Sequence, residues 1–254
     1  METADNPARN RAPSRARPAP RNGAGAPSAP PDQAEQAYQA LLDHLRQGHL
    51  ASGMFLSMPL LVAQLGFPLA ATREAVKRAE AAALVSILPK RGLMVMRADA
   101  ATTRDCMELR AMLDIHGAQG LLARGETLPL AALRRAHEAL RDEAAALPPG
   151  STVQRRAIET DLSLHDLLAT GLDGPLLPRL YADNRNRIAV IQTQRPFLTD
   201  RIVPAMTEHL AILTALEARD MTAVQQSLWD HLTHTLRWWG IDARGSAPAP
   251  GCLP

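Results

Sequence analysis

The chain is expected to be mainly α: a small N-terminal domain of three helices and a β-hairpin, followed by an all-α bundle of six to seven helices. Three observations predict this. Of the 254 residues, 46% are hydrophobic but only 3% aromatic, so the apolar mass is Leu, Ala, Ile, Val and Met, mostly good helix formers. Beyond residue 105, long stretches repeat their apolar residues at helical spacing. One pair of short apolar runs, Leu84–Leu88 and Leu93–Met96, flanks the turn Pro89-Lys90-Arg91-Gly92 and reads as two strands of a hairpin.

The totals exclude little about nucleic acids. There are 28 basic and 26 acidic side chains, a net charge of +2, so the distribution of charge matters more than its sum. The two cysteines, Cys106 and Cys252, form no CxxC or other metal spacing and imply no disulfide framework. A reducing cytoplasm fits that usage. No apolar run is long enough to span a bilayer, and the Arg-, Pro- and Ala-rich start lacks the hydrophobic segment of a secretory signal. A cytoplasmic location and no membrane partner are expected.

Residues 1–33 carry Arg9, Arg11, Arg15, Arg17 and Arg21 among Pro, Ala, Gly and Ser. They offer too little apolar surface to offset the entropy of ordering, so a disordered basic tail is expected. It is either an arm adding phosphate contacts or a solvated leader.

Residues 34–98 form the first domain. Tyr38, Leu41, Leu42 and Leu45 share one helical stripe, and Gly48 and Gly53 bracket a turn. A second helix, Met58 to Leu65, stops at Gly66, and a third follows Pro68. Three helices and a hairpin make the winged helix-turn-helix plan, with the third helix entering the major groove. Arg73, Lys77, Arg78, Lys90, Arg91 and Gly92 are the candidate DNA-contacting residues. The alternative is that these charges are only a solvated face.

The motifs of this domain resemble the DNA-binding domain of the GntR family of bacterial transcription regulators. The similarity is carried by Gly48-His49-Leu50-Ala51-Ser52-Gly53, Leu61-Val62-Ala63-Gln64-Leu65-Gly66, Thr72-Arg73-Glu74-Ala75, Ala83-Leu84-Val85 and Pro89-Lys90-Arg91-Gly92-Leu93-Met94-Val95. Family members usually begin the recognition helix with Ser-Arg, where this chain has Pro68 and Leu69. A basic residue often found early in the second helix is replaced around Pro59. Those departures remove a cap and a charged contact, so binding must lean on the remaining basic residues or read the operator differently.

Residues 99–104 are expected to be a linker and 105–241 a helical bundle, with 242–254 a flexible, Pro-rich tail. Helices are expected over Met107–Ala123, Leu130–Leu147, Thr152–Thr170, Leu176–Phe197, Val203–Ala218 and Thr222–Gly240. Asp161 and His165, at i and i+4, lie on one helical face and can point at a single spot. His209 and His231 sit in later helices with apolar neighbours. A carboxylate and imidazoles converging between helices suit Zn, Ni, Mn or Fe. Equally, each could be an ordinary surface or hydrogen-bonded core residue. His234 is a rival for the role of His231, while His44, His49, His116 and His137 read as ordinary helix residues.

The order of the bundle helices resembles the FCD effector domain of the FadR-type branch of the GntR family, and the combined resemblance covers roughly residues 35–240. It implies a divalent metal held by Asp161, His165, His209 and His231, with all four positions matched. It also implies that a small organic acid effector binds beside the metal and alters operator affinity, derepression being the commoner outcome. Arg110 matches a family arginine near that pocket and would pair with a carboxylate; its alternative is an i,i+4 salt bridge with Asp114. Arg187 is a second effector candidate. Where relatives carry Asn before the helix that starts at Leu176, this chain has Gly174. A homodimer on double-stranded, pseudo-palindromic operator DNA follows from the resemblance. Two rival functions remain: a metal-dependent hydrolase using the same ligands with Asp166 or Glu159 as base, and a winged-helix module for protein contacts. A non-enzymatic transcription regulator is the favoured reading.

Overall fold

The structure, a computed structural model, describes residues 32–148, 153–195 and 199–242. The expected basic tail up to residue 31, Cys252 and the expected flexible tail from residue 243 lie outside the described residues. From Asp32 onward the described residues form one compact unit. Its elements are α1 (Gln33–Arg46), β1 (Phe55–Leu56), α2 (Met58–Leu65), α3 (Leu69–Ala81), β2 (Val85–Leu88) and β3 (Gly92–Val95), then six long helices. These are α4 (Ala100–Arg124), α5 (Leu130–Ala146), α6 (Gln154–Ala169), α7 (Leu176–Gln194), α8 (Thr199–Glu217) and α9 (Met221–Trp238).

The N-terminal part is a winged helix-turn-helix. Ser57 accepts from Leu60 N–H to open α2, and Gly66 closes it in the left-handed conformation. The expected hairpin is β2–β3, with one addition. The two-residue β1 pairs antiparallel with β3, Phe55 opposite Met94 and Leu56 opposite Leu93, giving the order β1-β3-β2. A run of two residues is too short to show a period of two, so the sequence could not announce it. Gly92 is there for this pairing: its φ is +135° and a Cβ would strike the Leu56 carbonyl.

The connection between the two halves is the short irregular stretch 96–99, and most of the stretch expected as a linker, 99–104, is helical. α4 begins at Ala100, because the Asp99 carboxylate accepts from Thr102 N–H at 2.8 Å and caps a helix that runs unbroken to Arg124. The halves also share a core, since Val190 of α7 is fully buried among the apolar residues of the winged domain. Around it, Arg46 Nη2 donates to Asn186 at 2.8 Å, Arg187 Nε to the Ala82 carbonyl at 2.8 Å, and Gln194 Nε2 to the Ser52 carbonyl at 3.3 Å.

Within the bundle, α4 and α6 meet backbone to backbone. A Cβ on Gly117 would collide with the Leu168 carbonyl, and one on Gly171 with the Gly117 carbonyl. The close approach sets a register one turn away: Asp114 precedes Gly117 as His165 precedes Leu168, and the two side chains meet at 2.7 Å. In an open helix Gly→Ala stabilises by up to about 1 kcal/mol. At this crossing Gly117→Ala should instead destabilise by about 1–3 kcal/mol through overpacking, read as a lower denaturant midpoint in chemical unfolding.

Candidate metal centre

Three helices bring the four expected ligands together. α6 supplies Asp161 and His165 one turn apart, α8 supplies His209 and α9 supplies His231. One donor atom from each lies within 4.8 Å of the others, and all four side chains are buried. α8 and α9 are joined by a tight turn in which Arg219 takes a positive φ and Asp220 caps α9 through Ala223 N–H. That short return sets the His209 and His231 Nε2 atoms 3.3 Å apart.

The hydrogen bonds on the outer sides of the rings assign the tautomers. His231 Nδ1–H donates to Glu208 Oε2 at 2.7 Å, and Glu208 is held in turn by both Nη atoms of Arg201 at 2.9 and 2.7 Å. His137 Nδ1–H donates to the Leu133 carbonyl at 2.7 Å, which leaves its Nε2 as an acceptor for His209 Nδ1–H at 3.1 Å. His165 Nδ1–H donates to Asp114 Oδ2 at 2.7 Å. Each proton is therefore turned outward, and three Nε2 lone pairs face inward with the Asp161 carboxylate. His165 Nε2 is buried and has no hydrogen-bond partner among the described residues.

Electrostatics favour the same assignment. Burial holds His165 and His209 well below the ordinary imidazole pKa, and lowers His137 too. Burial also lowers His231, against the raising effect of its bond to Glu208. Burial alone would raise Glu208, but its bonds from His231 and Arg201 bring it down to about 2. Burial pushes Asp114 up to about 7, partly opposed by the nearby Arg110 guanidinium.

This arrangement fits a divalent cation. Two uncharged imidazoles whose lone pairs face each other at 3.3 Å repel unless a positive charge lies between them. Nitrogens each about 2.1 Å from one ion are separated by about 3.0–3.4 Å. Three nitrogens and one carboxylate are the borderline donors that Zn, Ni, Mn and Fe accept.

Arg110 is buried beside the centre. Its Nη2 lies 3.3 Å from His231 Nε2 and its Nη1 3.6 Å from Asp161 Oδ2. Asp114 is engaged by His165, so the surface salt bridge between Arg110 and Asp114 is not formed. Gln192 Nε2 approaches Asp161 Oδ2 at 3.4 Å. A narrow cavity adjoins these groups, lined by Arg110, Gln192, Arg195, Arg201, Thr235 and Trp239 among others, with room for about one water molecule. Arg187 is not among its lining residues. Its guanidinium points the other way, to the Ala82 carbonyl at the end of α3, because it faces the winged domain from α7. His234 meets Glu208 at 3.2 Å and stays half exposed, outside the ring of four.

Sequence reasoning missed His137, Asp114, Glu208, Arg201 and Gln192. Their signal was a polar residue on an apolar stripe: Arg110 and Asp114 alternate with Met107, Ala118 and Leu121 along the buried face of α4.

The basic residues of the winged domain divide by engagement. Arg73 is exposed on α3, and Lys77 is exposed with Glu74 3.6 Å away. Lys90 and Arg91 are exposed at the tip of the wing. Arg78 is committed inward, bonded to Glu35 at 2.6 Å and stacked 4.0 Å over Tyr38. Gly92 serves the sheet.

Residues 33–95 match the bacterial regulatory proteins of the gntR family, and residues 105–234 match the FCD domain. No curated protein sequence matches the chain. Among solved structures the fold is similar to E. coli McbR/YncC, at 18% identity and a TM-score of 0.63, covering 82% of this chain and 96% of that one. It is also similar to a GntR structure from Rhodococcus sp. RHA1, at 22% identity and 0.63, covering 81% and 96%. A third is Lar, which controls expression of the Listeria monocytogenes agr system, at 13% identity and 0.52, covering 85% and 100%. At these identities the solved structures establish the fold; the two matched domains, end to end, establish the family. The chain belongs to the GntR family of bacterial transcription regulators, with a winged helix-turn-helix DNA-binding domain and an FCD effector domain.

Proposed function

We propose that this regulator holds a divalent metal at Asp161, His165, His209 and His231, and that a small organic acid binding beside it changes the affinity of a homodimer for operator DNA. The observation that carries the reading is the inward convergence of four buried donors, with the protons of the three imidazoles held outward. A metal held there would supply a fixed positive charge to which an anionic group could bind. Arg110 adds a guanidinium on the same side, suited to the planar fork of a carboxylate.

The cavity is too small for an acid unless its walls move. One wall is Gln192 of α7, and α7 also carries Val190 and Asn186 in the winged domain. Effector entry that displaces α7 thus acts on both halves. It shifts the equilibrium by its differential affinity for the two arrangements, typically a few kcal/mol. In a dimer, this would change how two winged domains address two half-sites.

Nothing in the geometry favours a hydrolase over this reading. Asp166 accepts from Tyr181 and from Arg185 twice, and Glu159 lines a separate open groove beside α5.

Elemental analysis should find about one divalent ion per chain in the wild type and none in His209→Ala, whose thermal midpoint should no longer respond to chelator. His137→Ala should retain the site but weaken metal affinity by about 10–100-fold, since the orientation of His209 is lost. A His209→Ala protein with full metal content would remove that residue from the site.

Arg73→Ala should weaken binding to operator DNA by about ten-fold or more in a mobility-shift assay without changing metal content. Asn186→Ala, which removes the partner of Arg46 on α7, should leave metal affinity intact yet shrink the difference in DNA affinity between metal-loaded and metal-free protein. An undiminished difference would exclude this contact from the coupling.

A further inference from the structure

The base-reading end of α3 carries no polar side chain. Pro68, which precedes the helix, makes no side-chain cap, and the first helical residues are Leu69 and Ala70. All three are exposed, and Leu69 leaves 44% of its surface open. In a helix-turn-helix the N-terminal residues of the second helix meet base edges in the major groove. The exposed face of α3 continues with Arg73, Glu74 and Lys77, so charge enters only from its second turn.

An apolar side chain in the major groove has one base feature to recognise. Guanine, adenine and cytosine present donors and acceptors there, and thymine adds the C5-methyl group. A leucine set against a donor or acceptor strips its water and returns no hydrogen bond, which costs affinity. Against a thymine methyl it removes apolar surface from water on both sides.

We propose that Leu69, flanked by Ala70, makes operator recognition by this protein depend on thymine C5-methyl groups. Discrimination at those positions then runs through apolar contact rather than hydrogen bonding. The inference rests on the winged domain binding duplex DNA through α3 and states what that helix selects.

The full-length chain is first used to select duplexes from a random-sequence pool. The tightest is resynthesised with deoxyuridine in place of thymidine, one position at a time. Uracil keeps every hydrogen-bonding group of thymine and lacks only the methyl. Losing one buried methyl contact should weaken binding about four-fold, and losing one in each of two half-sites about fifteen-fold. In Leu69→Ser, an exposed position where folding is preserved, the thymine and uracil duplexes should bind within two-fold of each other.

Wild-type binding that stays within two-fold for every uracil duplex overturns the inference and leaves DNA binding standing. Discrimination that persists undiminished in Leu69→Ser overturns it as well, because another residue then reads the methyl. Failure to select or bind any duplex removes instead the DNA-binding reading on which it rests.

Discussion

Three imidazole lone pairs and a carboxylate facing one another inside a helical bundle form an unfavourable arrangement unless something positive joins them. Everything around the centre maintains it. Asp114, His137 and Glu208 each take the proton on the far side of one ring, and Arg201 keeps Glu208 ionised. Those partners come from α4, α5 and α8, so the orientation of each histidine is fixed by a helix other than its own. Such outer contacts fix ring orientation and tautomer, and raise the basicity of the inward nitrogen. Backbone packing supports them in turn: the glycine crossing of α4 on α6 is what lets Asp114 reach His165.

Burial works in the same direction. A buried imidazole resists protonation, so the inward nitrogens of His165 and His209 remain available near neutral pH. Arg110 meets the ring at the edge facing the cavity rather than among the three histidines.

Much of this was legible in the sequence, for identifiable reasons. Asp161 and His165 share a helix, so a spacing of four residues fixes their common face. His209 and His231 required knowledge of how helices return on one another, which the family resemblance supplied and spacing did not. The outer partners were illegible because their signal is contextual. His137 on α5 looks like any helix histidine until α8 is placed beside it. The direction of Arg187 was hidden for the same reason: from sequence it is one more arginine on α7, and only the approach of the winged domain decides which way it points. At residues 99–104, Asp99 caps a helix start, so most of that stretch continues into α4.

Val190 has a consequence for modularity. The winged domain looks like a cassette that could be cut at residue 98 and grafted onto another bundle, but one of its fully buried core residues comes from α7. A side chain of that size, fully buried, contributes about 1.5–3 kcal/mol. Exchange of reading heads among relatives is therefore constrained at the receiving helix: a new bundle must bring a plug of matching shape, and the two parts of this regulator are expected to diverge in step rather than as interchangeable pieces.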